Sequence, residues 1–212
     1  MAAAGDFARA DIPESAASAL TMARLTALQK PNNSIRGIAT GNVFRRLVAR
    51  TLARRYAKNI ERAVAPFQYA LSTRAGTDCV GHMFRAITDA DPNATIVSVD
   101  GIGAYDHIFR AEMLSKLCHV PEAAGMVPFL RLSYGHPSEY LWSDDSGATH
   151  RILQGDGGEQ GDPLMPLLFS LGIHEALREV SEQLLPGEKL CAFLDDVYVV
   201  CQPERARAVL IF

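Results

Sequence analysis

Two adjacent aspartates interrupt an apolar run near the end of the chain, in the segment CAFLDDVYVV (191–200). Ionised carboxylates are rare inside buried strands, because moving their charge out of water is costly. The apolar residues on both sides predict a strand, a turn and a second strand, with Asp195 and Asp196 at the tip. The segment is therefore expected to fold as a hairpin that carries two carboxylates.

A third acid closes another predicted strand, because the β-rich run TIVSVD (95–100) ends at Asp100. If this strand and the hairpin are neighbours in one sheet, Asp100, Asp195 and Asp196 converge at its edge. Carboxylates so close would repel one another unless a cation neutralised them. Ligand sets made only of oxygen suit Mg²⁺ or Mn²⁺, and two such ions about 3.5–4 Å apart support in-line phosphoryl transfer.

An aspartate pair is also an ordinary component of turns, and the chain contains its own comparison. Asp144 and Asp145 lie in SDDSG between two strand-like runs, where the neighbouring Ser and Gly make turn chemistry a full explanation. No Gly, Asn or Ser accompanies Asp195 and Asp196, so turn chemistry explains that pair less well.

The remaining periodicity predicts helices mixed with hairpins. Asn42 can cap a helix to about residue 63, a second long helix follows Leu164, and residues 139–153 read as a hairpin. Residues 1–24 are interpreted as an N-terminal tail or short helix. This order, without repeated βαβ units, favours an α+β fold with an antiparallel sheet.

Charge is concentrated in one part of the chain. Nine basic residues lie between Arg36 and Arg74 and only Glu61 opposes them, whereas the whole chain has a net charge of −3. Such a stretch suggests a surface that meets phosphate, although a solvated helix face is an alternative explanation. An apolar stripe is predicted on the helix at Phe44, Leu47, Val48, Thr51 and Leu52, with the arginines mostly away from it.

The four cysteines show no CxxC pairing and no neighbouring histidine at ligand spacing. We interpret them as reduced core thiols of a cytosolic or nuclear protein, in preference to a disulfide or zinc site. The chain has no apolar run of membrane-spanning length and no secretory signal at its start. An intracellular location without membrane contact is therefore expected.

Five segments together resemble the motifs of reverse transcriptases, in the style of non-LTR retroelements and group II introns. They are LQKPNNSIRGIA (28–39), FQYALSTRAGTD (67–78), VSVDGIGAYD (97–106), EQGDPLMPLLF (159–169) and FLDD (193–196). Each motif is weak by itself, but the five occur in the family's order. QGDPL followed by FLDD is the most specific part.

The resemblance implies an α+β polymerase palm with partial fingers, fingers-like over 25–94 and palm-like over 95–212. The implied activity is RNA-directed DNA synthesis, in which two Mg²⁺ or Mn²⁺ ions assist transfer of a dNTP onto a primer 3′-hydroxyl. The implied partners are an RNA template and a DNA primer. Because the chain ends at Phe212, we expect the thumb to be absent, as in a truncated retroelement protein or part of a larger polyprotein.

The resemblance also assigns roles to individual residues. Asp100, Asp195 and Asp196 would be catalytic metal ligands. Lys30 and Arg36 would reach the β- and γ-phosphates of the nucleotide, Tyr105 would exclude a ribose 2′-hydroxyl, and Gln160 and Gly161 would lie along the nucleotide and template. The template backbone would be contacted by Arg45, Arg46, Arg50 and Arg54.

Two alternatives remain open from the sequence. A catalytically incompetent remnant would bind nucleic acid or a protein partner through the basic helix. An RNA-dependent RNA polymerase would share the paired aspartates, but such enzymes usually carry Gly before the pair and a polar residue at the sugar gate. Leu194 and Tyr105 occupy those positions here.

Overall fold

The computed structural model describes residues 2–210, which form α-helices and two β-sheets. The helices in that range are α1 (Ala2–Ala8), α2 (Glu14–Thr21), α3 (Val43–Ala63), α4 (Gly76–Ala90), α5 (Ala104–His107), α6 (Arg110–Cys118), α7 (Val127–Tyr134), α8 (Met165–Glu182) and α9 (Ala206–Val209), with 3-10 turns at Pro121–Met126 and Pro203–Arg205. The strands are β1 (Ala23–Gln29), β2 (Ile35–Gly41), β3 (Thr95–Asp100), β4 (Ser138–Ser143), β5 (Thr149–Gln154), β6 (Lys189–Phe193) and β7 (Asp196–Cys201). The predicted α+β class is confirmed. The predicted terminal segments include Met1, Ile211 and Phe212, which lie outside the described residues. No helix within residues 2–210 has the length and apolar character needed to cross a membrane.

A three-stranded antiparallel sheet carries the acidic segments, in the order β3-β7-β6. β3 pairs with β7 from Thr95 opposite Cys201 to Asp100 opposite Asp196. β6 and β7 form the hairpin predicted at 191–200. β-branched residues make up four of the six positions of β3 and three of the six of β7, which suits a pleated surface packed on one side. The two strands that bear acids are therefore neighbours, which is the condition under which the three carboxylates converge.

The second sheet has four strands in the order β2-β1-β4-β5. β1 and β2 form a hairpin of seven paired positions, and its only buried residues are Ala23 and Ala39. The β4–β5 hairpin joins this sheet through a short parallel contact of β4 with Ala23 and Arg24 of β1. A division of the chain at residue 95 therefore does not separate the two sheets, because residues 138–154 add to the fingers-like one.

The core lies between helices, and the N-terminal segment contributes to it. Phe7 of α1 is fully buried, stacking on Phe44 with ring centroids 5.7 Å apart and meeting Phe129 edge-on at 5.1 Å. The other fully enclosed apolar side chains include Ile60, Met113, Leu117, Met126, Leu130, Leu164, Met165 and Leu168. Residues 2–21 thus form two helices, of which α1 packs into the core, rather than a tail.

Helix α3 begins and ends close to the predicted bounds. The Asn42 side chain accepts a hydrogen bond from the Arg45 amide at 2.8 Å, which satisfies one of the unpaired donors of the first turn. The buried residues of this helix are Arg45, Val48, Ala49, Leu52 and Ile60. Leu47 and Thr51, predicted on the apolar face, are exposed, because the buried stripe is rotated toward position 45.

The four cysteines are free, which agrees with the prediction against a disulfide. Cys191 and Cys201 are buried in the three-stranded sheet, where burial raises the pKa of the Cys191 thiol to about 11. Cys79 and Cys118 are exposed, so the interpretation of all four as core thiols is wrong for these two.

Candidate active site

A cleft of about 690 Å³ separates the β1–β2 turn from the acid-bearing edge of the three-stranded sheet. Seven of the predicted site residues line it: Lys30, Arg36, Asp100, Tyr105, Gln160, Gly161 and Asp195. These residues come from four separate segments of the chain. The structure therefore brings the predicted nucleotide contacts and two of the three predicted carboxylates to one place.

Asn32, Ser34 and Asp106 also line the cleft, although none is among the predicted site residues. Asp106 ends the motif VSVDGIGAYD, so the resemblance carries a signal for it. The Gln160 amide lies 3.5 Å from the Asp106 carboxylate. Asn32 and Ser34 belong to a turn, and their hydrogen bonds to each other give no signal beyond turn formation.

The three predicted metal ligands lie at one sheet edge but do not all face the cleft. Asp100 is opposite Asp196 in the β3–β7 pair, and Asp195 lies in the two-residue turn before β7. Asp196 lines a neighbouring cavity that also contains Phe84 and Tyr198. Desolvation, then the charge of Asp195, then that of Asp100 raise the pKa of Asp196, so both neighbours lie close enough to act on that carboxylate.

The turn that holds Asp195 is fixed by a residue far away in sequence. Leu194 has a left-handed backbone with φ of 58°, which is unfavourable for a residue with a branched side chain. The buried amide of Gln68 accepts a hydrogen bond from the Leu194 N–H and donates one to its carbonyl, both at 3.0 Å. Gln68 is 5% exposed, so these bonds are shielded from water. The resemblance singled out the segment around Gln68 but gave this residue no role.

Tyr105 extends from α5 into the cleft, and its ring is fixed by packing. The ring lies 5.0 Å from that of Phe169, measured between centroids. Burial, followed by the nearby charge of Asp195, raises the pKa of Tyr105 to about 12. The phenol is therefore neutral at physiological pH and acts as a fixed wall of the cleft beside Asp195.

Gln160 and Gly161 belong to a loop (155–164) whose backbone forms hydrogen bonds with two neighbouring segments, β2 and α5. The Gln160 carbonyl accepts from the Ala39 N–H of β2 at 3.1 Å, and the Gly158 N–H donates to the Tyr105 carbonyl at 2.6 Å. Gly161 has φ of 118°, and a Cβ there would lie 2.9 Å from the Ala39 carbonyl oxygen. Glycine thus permits the close approach of the loop to β2.

We expect Gly157→Ala to lower the free energy of unfolding by about 2–4 kcal/mol. Gly157 has φ of 76°, and an added Cβ would lie 2.2 Å from the Asp106 carbonyl oxygen, which belongs to the backbone. Urea unfolding measures the change. Gly155→Ala in the same loop is the matched control, because nothing lies within 4 Å of its Cβ position. Equal destabilisation by the two substitutions would contradict this account.

Lys30 and Arg36 flank the turn between β1 and β2 at the other side of the cleft. The Lys30 amide and carbonyl close the turn through bonds to Ser34 and Asn33 at 2.8 and 2.9 Å. Neither basic side chain forms an ion pair within residues 2–210. Both cations are therefore available to phosphate oxygens.

The basic helix differs from the prediction at one position. Arg46, Arg50 and Arg54 are exposed on α3, as expected for contacts with a nucleic-acid backbone. Arg45 is only 2% exposed and pairs with Glu159 at 3.0 Å and Asp162 at 3.4 Å. The prediction that Arg45 contacts the template is thus wrong, because position 45 lies on the buried stripe of the helix.

The second aspartate pair is explained by turn chemistry, as predicted. One Asp144 oxygen accepts from the Ser146 and Ala148 amides at 2.9 and 3.0 Å, and the other lies 2.7 Å from the His150 ring. Asp145 is exposed. Neither Asp144 nor Asp145 lines the cleft.

The donor atoms in the cleft fit a hard divalent cation. Asp100, Asp106 and Asp195 supply only carboxylate oxygens there, which suits Mg²⁺ or Mn²⁺ and not zinc. Within residues 2–210, no three His, Cys, Asp or Glu side chains form a ready-made metal cage. Mg²⁺ retains several waters and is commonly held by one or two carboxylates plus substrate phosphates, so such a cage is not required.

A family model and a retrotransposon protein both match most of this chain. Residues 28–211 match the family model described as reverse transcriptase (RNA-dependent DNA polymerase). The chain is 27% identical over 208 residues to the retrotransposable element SLACS 132 kDa protein of Trypanosoma brucei gambiense, a match that covers 96% of this chain and 17% of that protein.

The fold resembles that of solved telomerases. Candida albicans telomerase in complex with a TWJ fragment of telomeric RNA matches with a TM-score of 0.63 and 11% identity, and apo telomerase from Candida tropicalis with 0.65 and 10%. Each match covers 94% of this chain and 41% of the telomerase chain. The chain therefore spans less than half the length of these proteins, and the likeness concerns the fold.

Proposed function

Because the chain belongs to the reverse transcriptase (RNA-dependent DNA polymerase) family, we propose that it copies an RNA template by adding dNTPs to a primer 3′-hydroxyl. One observation carries the proposal. A single cleft is lined on one side by Asp100 and Asp195 and on the other by Lys30 and Arg36, two cations that pair with no acid of residues 2–210. This arrangement suits a nucleoside triphosphate, because its β- and γ-phosphates need positive charge and its reacting phosphate needs the divalent metal ions that the carboxylates would hold.

The carboxylates are assigned to divalent metal. Asp100 and Asp195 would hold the Mg²⁺ or Mn²⁺ ions, with Asp196 completing the acidic edge. When bound, these ions would neutralise phosphate charge and activate the attacking hydroxyl. The protein holds the two carboxylates in place. Pairing of β3 with β7 fixes Asp100, and the turn that is hydrogen-bonded to Gln68 fixes Asp195.

The basic side chains have separate tasks in this proposal. Lys30 and Arg36 bind the β- and γ-phosphates from the β1–β2 turn, where their donors also offset charge that develops on the leaving group. Arg46, Arg50 and Arg54 meet the nucleic-acid backbone along the exposed side of α3, which adds affinity without sequence preference. RNA template and DNA primer are the partners that these assignments require.

In this proposal Tyr105 determines the preference for deoxyribonucleotides over ribonucleotides, and so for DNA over RNA synthesis. We expect Tyr105→Ala to reduce the preference for dNTP over rNTP by about 100-fold, because the ring no longer fills the space of a ribose 2′-hydroxyl. Primer extension on an RNA template with Mg²⁺ and each nucleotide class measures this ratio. Tyr105→Phe keeps the ring and is the control, expected to retain the preference.

The same assay tests the proposed function. Incorporation of dNTP by the wild-type chain on an RNA template is the expected result. Preferential use of rNTP would favour an RNA polymerase instead. Binding of template without any incorporation would identify a nucleic-acid-binding protein that lacks polymerase activity, and would overturn the proposal.

A further inference from the structure

The charged residues that are buried within residues 2–210 form one cluster beside the cleft. They are Arg45, Arg110, Glu159 and Asp162. The guanidinium carbons of Arg45 and Arg110 lie 6.0 and 5.2 Å from the ring centroid of Tyr134, so the ring sits between two cations. Burying charge is costly and adds little net stability even when the charges are paired, which makes a purely stabilising purpose a weak explanation.

Arg110 fixes the first part of the loop 155–164. Its backbone N–H donates to the Asp156 carboxylate at 2.7 Å, and its Nε donates to the Gly157 carbonyl at 2.7 Å. The two terminal nitrogens donate to the His136 carbonyl at 2.8 Å and the Ser138 hydroxyl at 2.9 Å. The guanidinium thus joins the loop to the beginning of β4.

Arg45 fixes the second part of the same loop. It pairs with Glu159 and Asp162 on either side of Gln160 and Gly161, and also donates to the Thr21 carbonyl at 2.8 Å. Asp162 accepts from the Tyr134 hydroxyl at 2.7 Å and from the Leu164 amide at 2.8 Å. None of the four charged residues lines the cleft itself.

The residues between these two anchors are the ones that face the cleft or support it. Gly158 donates to the Tyr105 carbonyl, and the Gln160 carbonyl accepts from Ala39. We propose that Arg45 is a positioning residue that, through Glu159 and Asp162, sets the Gln160–Gly161 loop and with it the backbone of Tyr105. The consequence for nucleotide use rests on the proposed polymerase function.

Arg45→Lys is the variant that tests the proposal, because it keeps the charge but offers one shorter ammonium group. That group cannot replace both Nη2, which contacts the two carboxylates, and Nη1, which donates to the Thr21 carbonyl. We expect its KM for dNTP to rise about tenfold and its preference for dNTP over rNTP to fall about tenfold, with kcat changed less than about threefold. A merely structural role would lower the active fraction, and so kcat, without moving KM or the preference. Arg178→Lys, at an exposed arginine that pairs with Glu175 and Glu182, makes the same chemical change as a control.

Hydrogen exchange of the Gly158 and Ala39 amides gives a readout that does not depend on activity. We expect both amides to exchange at least about tenfold faster in Arg45→Lys, because the loop is released, while core amides of α8 remain protected. Glu159→Gln retains the side-chain shape and serves as a second variant if Arg45→Lys fails to fold, with loss of protection at the same two amides expected.

The two proposals fail in different ways. Faster exchange in a protein whose wild type incorporates no nucleotide would support the positioning role and overturn the polymerase function. Unchanged exchange at Gly158 and Ala39, or an unchanged KM and sugar preference in an active variant, would overturn the positioning role.

Discussion

Replacing Asp195 with asparagine is expected to lower the rate of nucleotide incorporation by about 1,000-fold, which corresponds to about 4 kcal/mol of lost transition-state stabilisation. The substitution keeps the shape of the side chain and removes one of the carboxylate charges that face the cleft. It also removes a source of the repulsion that raises the pKa of Asp196, so the fold should be retained. Single-nucleotide incorporation at saturating dNTP, followed over a range of Mg²⁺ concentrations, measures the effect.

The chain supplies a matched control for this result. Asp145→Asn makes the same chemical change in the other aspartate pair, at an exposed turn residue that does not line the cleft. Incorporation by that variant should stay within about twofold of the wild type. A similar loss in Asp145→Asn and Asp195→Asn, or full activity of Asp195→Asn, would contradict the assignment of Asp195 to catalysis.

The second large effect is expected from Gln68→Ala, which should lower kcat about 100-fold while the KM for dNTP changes less than about threefold. Gln68 holds both backbone groups of Leu194, whose left-handed conformation aims the next residue, Asp195, at the cleft. Without the amide, the Leu194 N–H and carbonyl lose their partners and the turn can relax. The nucleotide contacts proposed for Lys30 and Arg36 lie on other segments of the chain, so nucleotide binding should persist.

Steady-state kinetics and thermal unfolding together check this expectation. Gln183→Ala, at an exposed glutamine just after α8, controls for the loss of an amide side chain. A second variant, Leu194→Gly, removes the penalty of the left-handed backbone, and in combination with Gln68→Ala it should recover part of the lost stability. A fall in kcat that merely follows the fraction of unfolded protein would argue against a specific effect on Asp195.

Local pattern was sufficient for the elements that bear the site. The cap at Asn42 follows from capping preference, and the acid at the end of β3 and the turn before β7 follow from the apolar runs around them. The structure confirms all three. The resemblance added the side chains that no periodicity can identify. Lys30 and Tyr105 are ordinary residues in isolation, and only the order of motifs places them in one cleft.

Features that depend on distant partners could not be predicted. The hydrogen bonds of Gln68 span 126 positions in sequence, and the β4–β5 hairpin finds its sheet through a contact with β1 that no local signal encodes. Arg45 was misplaced for a related reason. An arginine on a helix is usually solvated. The acids that pair with Arg45 in the interior, Glu159 and Asp162, lie in a distant loop, and Asp162 is 117 positions later in the sequence.

The β1–β2 hairpin has a mechanical consequence. Only its base, at Ala23 and Ala39, is packed, whereas Lys30 and Arg36 sit near the far end of a two-stranded ribbon. Beyond Ala39 and its partner Leu25, four to five residues at about 3.3 Å each leave an arm about 15 Å long, so a bend of about 10° there displaces the tip by about 3 Å. Both cations then move together relative to Asp195, so the width of the cleft changes without any rearrangement of the core.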